Sequence, residues 1–172
     1  MKILPASAVN SLLWQERKRW DVLSICREGD LPLIVFCRRH CHVNCDDLSD
    51  GDLYDPEVRE QIAALRRIAP SPAHIQQALG FAREVGTEHL VIHCRQAISR
   101  SPAIAFCILL DQLRSTNAAI ERLYQLRPQA IPNSLIVRLG LQVVLGSDAD
   151  FDAVIAEMRL RGGGAEASRE MD

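Results

Sequence analysis

Residues 93 to 101 read HCRQAISRS and follow directly on the apolar run HLVI at residues 89 to 92. A short apolar run of this kind predicts a buried strand, and Pro102 followed by AIAFCILL predicts a buried helix just after the stretch. The strand therefore ends at the thiol of Cys94, and the helix begins beside the guanidinium of Arg100, five residues later. Buried strands more often end in Gly, Asn or Asp, so this combination indicates a functional loop.

The loop between this strand and this helix has the chemistry of an anion site. Its backbone N–H groups and those of the first helical turn can converge on one point, and Arg100 adds a planar pair of donors that suits two phosphate oxygens. The same positive field favours a thiolate at Cys94. We therefore predict that phosphate is bound by Arg95, Gln96, Ala97, Ile98, Ser99 and Arg100.

The composition limits what else the chain can be. With 172 residues, 48% hydrophobic content and a formal net charge of −2, the sequence predicts one globular domain and gives no support to electrostatic binding of nucleic acid. No apolar run approaches the roughly 18 residues of a membrane span, and the N-terminus lacks a secretory pattern, so we expect a cytoplasmic protein. The six cysteines are expected to be reduced thiols, because a chain of this length needs no disulfides.

Short apolar runs alternate with longer helical segments along the chain. This alternation predicts an α/β fold in which a mostly parallel central sheet of four to five strands has helices on both sides. The domain is expected to span residues 1–160, followed by a flexible tail over 161–172. Strands are predicted at 2–4, 21–26, 39–45 and 89–93, and helices after Asp55, after Ser71, from Pro102 and at about 117–126, 134–145 and 149–160.

A longer segment, VIHCRQAISRSP at residues 91 to 102, resembles the signature of the cysteine-dependent protein tyrosine and dual-specificity phosphatases. In that signature HC, five residues, R and then S or T form the phosphate-binding loop. A second segment, RPQAIPN at residues 127 to 133, is similar to a segment of small bacterial members of the superfamily. The resemblance is at the level of motifs over about 89–104 and extends in outline from the second strand to Gly146.

The resemblance implies a phosphomonoester hydrolase in which Cys94 forms a phosphocysteine intermediate and Arg100 holds the transferred phosphoryl group. It also implies that the Ser101 hydroxyl stabilises the departing thiolate and that His93 orients the loop from behind. No cofactor and no metal are implied. The expected partners are a phosphorylated protein, phosphotyrosine first, or a small phosphomonoester, and phosphate, sulfate or vanadate as inhibitors in the loop.

The resemblance further calls for a general acid from an upstream loop, because the leaving group must receive a proton. Asp55 is expected to cap a helix, and Asp50 and Asp52 flank Gly51 in an expected turn. DDL directly after a strand resembles the acid loop of the family, so we predict Asp47 as the acid and keep Asp46 as the alternative. The segment NCDDLSDGDLYD at residues 44–55 contains all five aspartates.

Two loop positions depart from the family pattern, which has Gly in place of Ala97 and usually Ala in place of Gln96. A positive φ at Ala97 would strain the loop by about 1 to 2 kcal/mol, whereas a negative φ would not. The alternative function is therefore a catalytically weak pseudophosphatase module that recognises a phosphorylated partner without turning it over.

One further segment, CRRHCHVNC at residues 37 to 45, contains side chains that can bind zinc. In an extended strand its cysteines would face one side and its histidines the other, so they would not converge on one ion. We expect these thiols to pack as small apolar groups. The residues concerned are Cys37, His40, Cys41, His42 and Cys45.

Overall fold

A parallel sheet carries the predicted loop on one of its inner strands. The computed structural model describes residues 1–17, 19–148 and 150–167. Within these ranges the sheet has the strand order β1-β4-β2-β3, and all three pairings are parallel. The prediction of an α/β fold with a parallel sheet of four to five strands is confirmed. The strands are β1 Lys2–Pro5, β2 Asp21–Ile25, β3 His40–Val43 and β4 Leu90–Cys94.

Helices cover both faces of the sheet. Side chains of β2 and β4 alternate between two apolar clusters, because successive residues of a strand point to opposite faces. Val22 and Val91 pack in the smaller cluster with α1, whereas Leu23 and Ile92 lie in the larger cluster with α4 to α8. The helices are α1 Ala6–Gln15, α2 Asp50–Tyr54, α3 Pro56–Ala64, α4 Pro72–Val85, α5 Arg100–Leu113, α6 Thr116–Leu126, α7 Ser134–Leu145 and α8 Phe151–Ala167.

Helix α5 is the central helix of the fold. Every residue from Arg100 to Leu110 is buried, because α5 packs against β4 on one side and against α6 and α7 on the other. It begins at Arg100, beside which the sequence predicted the start of the helix. Neither α5 nor any other helix in the described ranges is both long and apolar enough to cross a membrane.

Two helices depart from the sequence-based expectation. Helix α1 was not predicted, since Pro5 at its N-cap provides no side-chain capping bond. Helix α2 occupies Asp50–Tyr54, where the sequence predicted a turn around Gly51. The carboxylate of Asp52 accepts hydrogen bonds from the backbone N–H and the hydroxyl of Ser49, at 2.7 and 2.8 Å, and so starts a helix of one turn.

The cysteine- and histidine-rich segment is divided between the two apolar clusters. Cys41 and Cys45 pack in the larger cluster, whereas Cys37, which precedes β3, packs in the smaller one. The ring of His42 lies 2.8 Å from the carbonyl oxygen of Cys26. Among the described residues, no three His, Cys, Asp or Glu side chains are grouped as a metal site requires, and all six cysteines are free thiols.

The C-terminal helix continues past residue 160, the boundary that the sequence predicted for the domain. Helix α8 extends to Ala167. Gly162 packs closely on the segment between α6 and α7, since a Cβ atom added to Gly162 would lie 2.7 Å from the carbonyl oxygen of Ala130. The first residues of the predicted tail are therefore helical. Residues 168–172 of that tail lie outside the described residues.

A similar close approach joins α7 to α5. A Cβ atom at Gly140 would overlap the Sγ of Cys107 and would lie 3.3 Å from its Cβ. Cys107 is fully buried, so its side chain has no free space into which to move. Glycine at this position therefore sets the distance between the two helices.

We predict that Gly140→Ala lowers the free energy of unfolding by about 1–3 kcal/mol, because the added methyl group overpacks the α5–α7 contact. Gly80→Ala is the matched control, since Gly80 is an exposed position in α4 with no atom within 4 Å of an added Cβ. It should raise the stability by about 0.5–1 kcal/mol through helix propensity. Urea denaturation measures both, and equal stabilisation by both changes would contradict the close contact.

Candidate active site

Cys94 is the last residue of β4 and lies where that inner strand meets α5. Its side chain is buried, and the hydroxyl of Ser101 donates a hydrogen bond to Sγ at 3.2 Å. Ser101 lies in the first turn of α5, so the N-terminus of this helix points toward the sulfur. The strand, the loop and the helix therefore converge on Cys94, as the sequence motif predicts.

The backbone of the loop is held from outside through its carbonyl groups. The N–H of Ala6 donates to the carbonyl of residue 95, and the N–H groups of Ile131 and Asn133 donate to those of residues 98 and 99, at 3.3, 2.8 and 3.3 Å. The guanidinium of Arg127 donates to the carbonyls of residues 96 and 97, at 3.3 and 3.0 Å. All five carbonyls of residues 95–99 are thus bonded to groups beyond the loop.

The backbone N–H groups of residues 95–99 differ from the carbonyl groups of the same residues. Within the part of the chain that the structure describes, none of them donates a hydrogen bond to another residue. A run of five N–H groups without protein acceptors beside one thiol is a set of donors available to an anion. These five residues are among those that the sequence predicted to bind phosphate.

The structure shows whether φ at Ala97 is positive or negative. Its φ is 57°, in the left-handed region, and the residue is fully buried. Of the two possibilities that the sequence left open, the strained one is therefore present. The carbonyl of Ala97 is held in this conformation by the guanidinium of Arg127.

Arg100 turns inward across the mouth of the loop. Only 8% of its surface is exposed, and Nη1 donates to the carbonyl of Cys45 at 3.0 Å. Its Nε is buried without a hydrogen-bond acceptor among the described residues and lies 3.6 Å from Oδ2 of Asp47. The guanidinium therefore keeps unused donors beside the loop, where they can reach an anion.

Asp46 and Asp47, the two candidates for the acid, have different surroundings. Asp46 is buried and fastens its own loop to the segment before α4, since its carboxylate accepts from the N–H of Ile68 at 2.7 Å and pairs with Arg67 at 3.5 Å. Asp47 is partly exposed, and its Oδ1 accepts from the hydroxyl of Ser99 at 2.7 Å. The carboxylate of Asp47 therefore stands at the loop, and that of Asp46 is engaged elsewhere.

The other aspartates of this segment have structural partners. Asp55 caps α3 by accepting from the N–H groups of Glu57 and Val58, as the sequence predicts. Asp50 pairs with Arg138 at 3.2 Å. The hydrogen bonds between Asp52 and Ser49 hold the pKa of the Asp52 carboxyl below its usual value.

His93 lies behind the loop and is fully buried. Its Nε2 lies 2.6 Å from the hydroxyl of Ser24, which in turn lies 2.8 Å from Nε2 of His40. Burial lowers the pKa of His93 to about 4, so its ring is neutral at physiological pH. The ring, one residue before Cys94, is thus held against β2 through Ser24, and its role in orienting the loop stays a prediction.

Three other cysteines are buried in or near the site. Cys26 and Cys45 are buried next to the loop, and burial raises the pKa of their thiols to about 11 and about 12. Cys107, deeper in the core, has a thiol whose pKa burial raises to about 12. These three thiols are therefore protonated at neutral pH, as expected of thiols that only fill space.

Four residues of the site were not singled out from the sequence. Arg127 and Asn133 belong to the RPQAIPN segment, which was noted only as a similarity, yet they hold the loop carbonyls and, through Asn133 Nδ2 at 2.8 Å, the carboxylate of Asp47. Asp30 and Arg67 line the same cavity of about 310 Å³ as Cys94 and Arg100. No local pattern marks these two residues, because the fold brings them to the site from other loops.

The comparisons with known proteins find similarity in structure and not in sequence. No protein-family model matches the chain, and no curated protein matches it in sequence. Among solved structures, Tk-PTP in its active form is 14% identical with a TM-score of 0.58, over 84% of this chain and 88% of that one. DUSP15 is 16% identical with a TM-score of 0.58, over 94% and 95% of the two chains.

A third solved structure, PTPMT1 in complex with PI(5)P, is 13% identical with a TM-score of 0.55, over 91% of this chain and 94% of that one. All three likenesses extend over most of both chains, so they concern the whole domain. At identities this low they establish the fold. The chain therefore has the fold of the cysteine-dependent tyrosine and dual-specificity phosphatases, with its cysteine and arginine on the loop between β4 and α5.

Proposed function

We propose that this protein hydrolyses phosphomonoesters through a phosphocysteine intermediate on Cys94. The observation that carries this proposal is the loop itself, in which five carbonyls are bonded outward and five N–H groups are free around one buried thiol. Such a loop binds the three non-bridging oxygens of a phosphate and stabilises the charge that they carry during transfer. The phosphatase fold of the chain agrees with this chemistry.

In the first step, the thiolate of Cys94 attacks phosphorus and the bond to the ester oxygen breaks on the opposite side. Arg100 holds two of the non-bridging oxygens with the donors that its protein contacts leave free. Asp47 gives its proton to the departing oxygen, which leaves as an alcohol. The phosphoryl group remains bonded to sulfur.

In the second step, water attacks the phosphocysteine and passes its proton to the carboxylate of Asp47. The bond between phosphorus and sulfur breaks, inorganic phosphate is formed, and the thiolate returns. The hydroxyl of Ser101 stabilises this departing thiolate, since it already donates to Sγ at 3.2 Å. His93 supports the loop from behind as a neutral ring held by Ser24. No step uses a metal or a cofactor.

The leading substrate class is a phosphorylated protein, with phosphotyrosine first and a dual-specificity range next. Inorganic phosphate, sulfate and vanadate would occupy the same loop and inhibit. The cytoplasmic location and the bacterial origin expected from the sequence stay predictions.

A second candidate function has one specific observation in its favour. Ala97 has a side chain at a positive φ, where the family signature has glycine, and this strain is of the order of 1–2 kcal/mol. Relaxation of that strain would displace the N–H groups that stabilise the transition state. The chain would then be a catalytically weak pseudophosphatase module that recognises a phosphorylated partner without turning it over.

We predict that Cys94→Ser lowers kcat for p-nitrophenyl phosphate at mildly acidic pH by at least about a thousandfold, because the nucleophile is lost. Binding of inorganic phosphate should persist, since the N–H groups of the loop remain. Cys37→Ser is the matched control, a half-buried cysteine outside the site, and should keep wild-type turnover. Turnover that survives in Cys94→Ser would exclude the thiolate mechanism, whereas vanadate binding without turnover in the wild type would favour the binding module.

The choice between the two aspartates has its own test. Asp47→Asn should lower kcat for phenyl phosphate by about a hundredfold or more, and much less for p-nitrophenyl phosphate, because the nitrophenolate leaves without a proton. Asp46→Asn should instead lower the melting temperature, since the ion pair with Arg67 is lost. If Asp46→Asn shows the stronger dependence on the leaving group, the assignment of Asp47 as the acid is wrong.

The strain at Ala97 gives a prediction that separates the two functions. Ala97→Gly should stabilise the fold by about 0.5–1 kcal/mol, because glycine adopts a positive φ without the clash of a Cβ atom. Ala73→Gly, at an exposed position in α4, is the control and should destabilise it by a similar amount. A large rise in kcat with Ala97→Gly would show that the wild-type loop is catalytically impaired, and an unchanged kcat would show that the strain is harmless.

A further inference from the structure

A second cavity adjoins the catalytic one. It has a volume of about 420 Å³ and lies between the segment 131–134, which joins α6 to α7, and helix α8. Asp47 and Ser99 line both cavities, and the hydrogen bond between their side chains, at 2.7 Å, stands where the two meet. The second cavity therefore borders the catalytic one at the carboxylate of Asp47.

The two cavities differ in chemistry. Charged side chains dominate the catalytic cavity, where Asp30, Asp46 and Arg67 lie with Asp47 and Arg100. Four apolar side chains, those of Ile131, Pro132, Ile155 and Met158, provide most of the surface of the second cavity, and its polar lining residues besides Asp47 and Ser99 are Ser49, Asn133, Ser134 and Arg159. Hydrocarbon placed against the four apolar side chains is removed from water, which favours its binding, whereas a sugar or inositol hydroxyl gains nothing from that part of the surface.

The wall that α8 provides is firmly attached. The hydroxyl of Tyr124 lies 2.6 Å from the carbonyl oxygen of Met158 in α8 and 3.3 Å from that of Ala130, so one side chain joins both walls of the cavity. Gly162 allows α8 to approach the carbonyl of Ala130, since any side chain there would collide with it. The cavity is therefore a formed feature of the domain.

The stereochemistry of the proposed reaction directs the leaving group to this cavity. In-line attack places the departing oxygen opposite the sulfur of Cys94, and the acid that protonates it must lie within hydrogen-bonding distance. With Asp47 as that acid, the first carbon atoms of the leaving group lie beside Asp47 and Ser99. The rest of the leaving group then extends away from the catalytic loop and past the border of the second cavity.

We propose that this cavity is the leaving-group subsite and that it selects phosphomonoesters whose leaving group is apolar and larger than one aromatic ring. The inference rests on the proposed function, from which the direction of the leaving group follows. A cavity of about 150 Å³ is enough for benzene, so a cavity of about 420 Å³ has room beyond a single ring. Helix α8 is thus a specificity element of the enzyme.

The experiment compares two substrates of similar leaving-group chemistry, 2-naphthyl phosphate and phenyl phosphate. The wild type should hydrolyse the naphthyl ester with a kcat/KM about tenfold higher or more, because the second ring is buried in the subsite. Ile131→Ser should reduce this preference about threefold or more, and it leaves the fold intact because Ile131 is half exposed. Leu160→Ser, at an exposed position of α8 that does not line the cavity, is the control and should keep the wild-type preference.

Three results would overturn the subsite. The first is equal kcat/KM for the two esters in the wild type, and the second is a naphthyl preference that Ile131→Ser leaves unchanged. A higher kcat/KM for an inositol monophosphate than for the naphthyl ester would overturn it as well, because that leaving group is polar.

The measurements distinguish an error in the subsite proposal from an error in the proposed function. Hydrolysis of p-nitrophenyl phosphate that depends on Cys94, without any naphthyl preference, contradicts the subsite alone. If no ester is hydrolysed, the affinities of the two esters for the wild type, Ile131→Ser and Leu160→Ser are measured by calorimetry in place of kcat/KM. Tighter binding of the naphthyl ester that Ile131→Ser weakens then supports the subsite, and equal affinities contradict it.

Discussion

The hydrogen bonds that draw the five loop carbonyls outward are the constraint on which the site depends. A peptide unit that turns its oxygen to one side turns its N–H to the other, so the donors from Ala6, Arg127, Ile131 and Asn133 decide where the loop amides point. The loop is thereby organised before any anion arrives, and binding requires little rearrangement. Arg127 carries the largest share, because its guanidinium holds two adjacent carbonyls around the strained residue Ala97.

The packing of the helices and the chemistry of the site are joined through Asn133. Its Oδ1 caps α7 by accepting from the N–H of Ile136 at 3.0 Å, and its Nδ2 donates to the carboxylate of Asp47 at 2.8 Å. The same helix is held to α5 by the close approach of Gly140 and Cys107. The position of the Asp47 carboxylate is therefore determined by how α7 packs on α5, the helix that carries Arg100.

The sequence was sufficient where the signals are local. A strand, a thiol and a buried helix follow one another at residues 89–110. The side chains of Asp55 and Asn133 each cap the helix that follows. It was insufficient where distant segments meet. Asp46 and Asp47 are adjacent and identical in type, and they differ only because Ile68 binds one and Asn133 binds the other. Helix α1 lacks a cap, and φ at Ala97 depends on Arg127, thirty residues away.

The supports of the loop also have constant charge. A guanidinium such as that of Arg127 stays cationic throughout the working range of proteins, and the ring of His93, with a pKa of about 4, stays uncharged from mildly acidic to alkaline conditions. Neither support titrates in this range of pH. A plot of rate against pH would therefore report on the reacting groups and the substrate, undistorted by the scaffold that holds them.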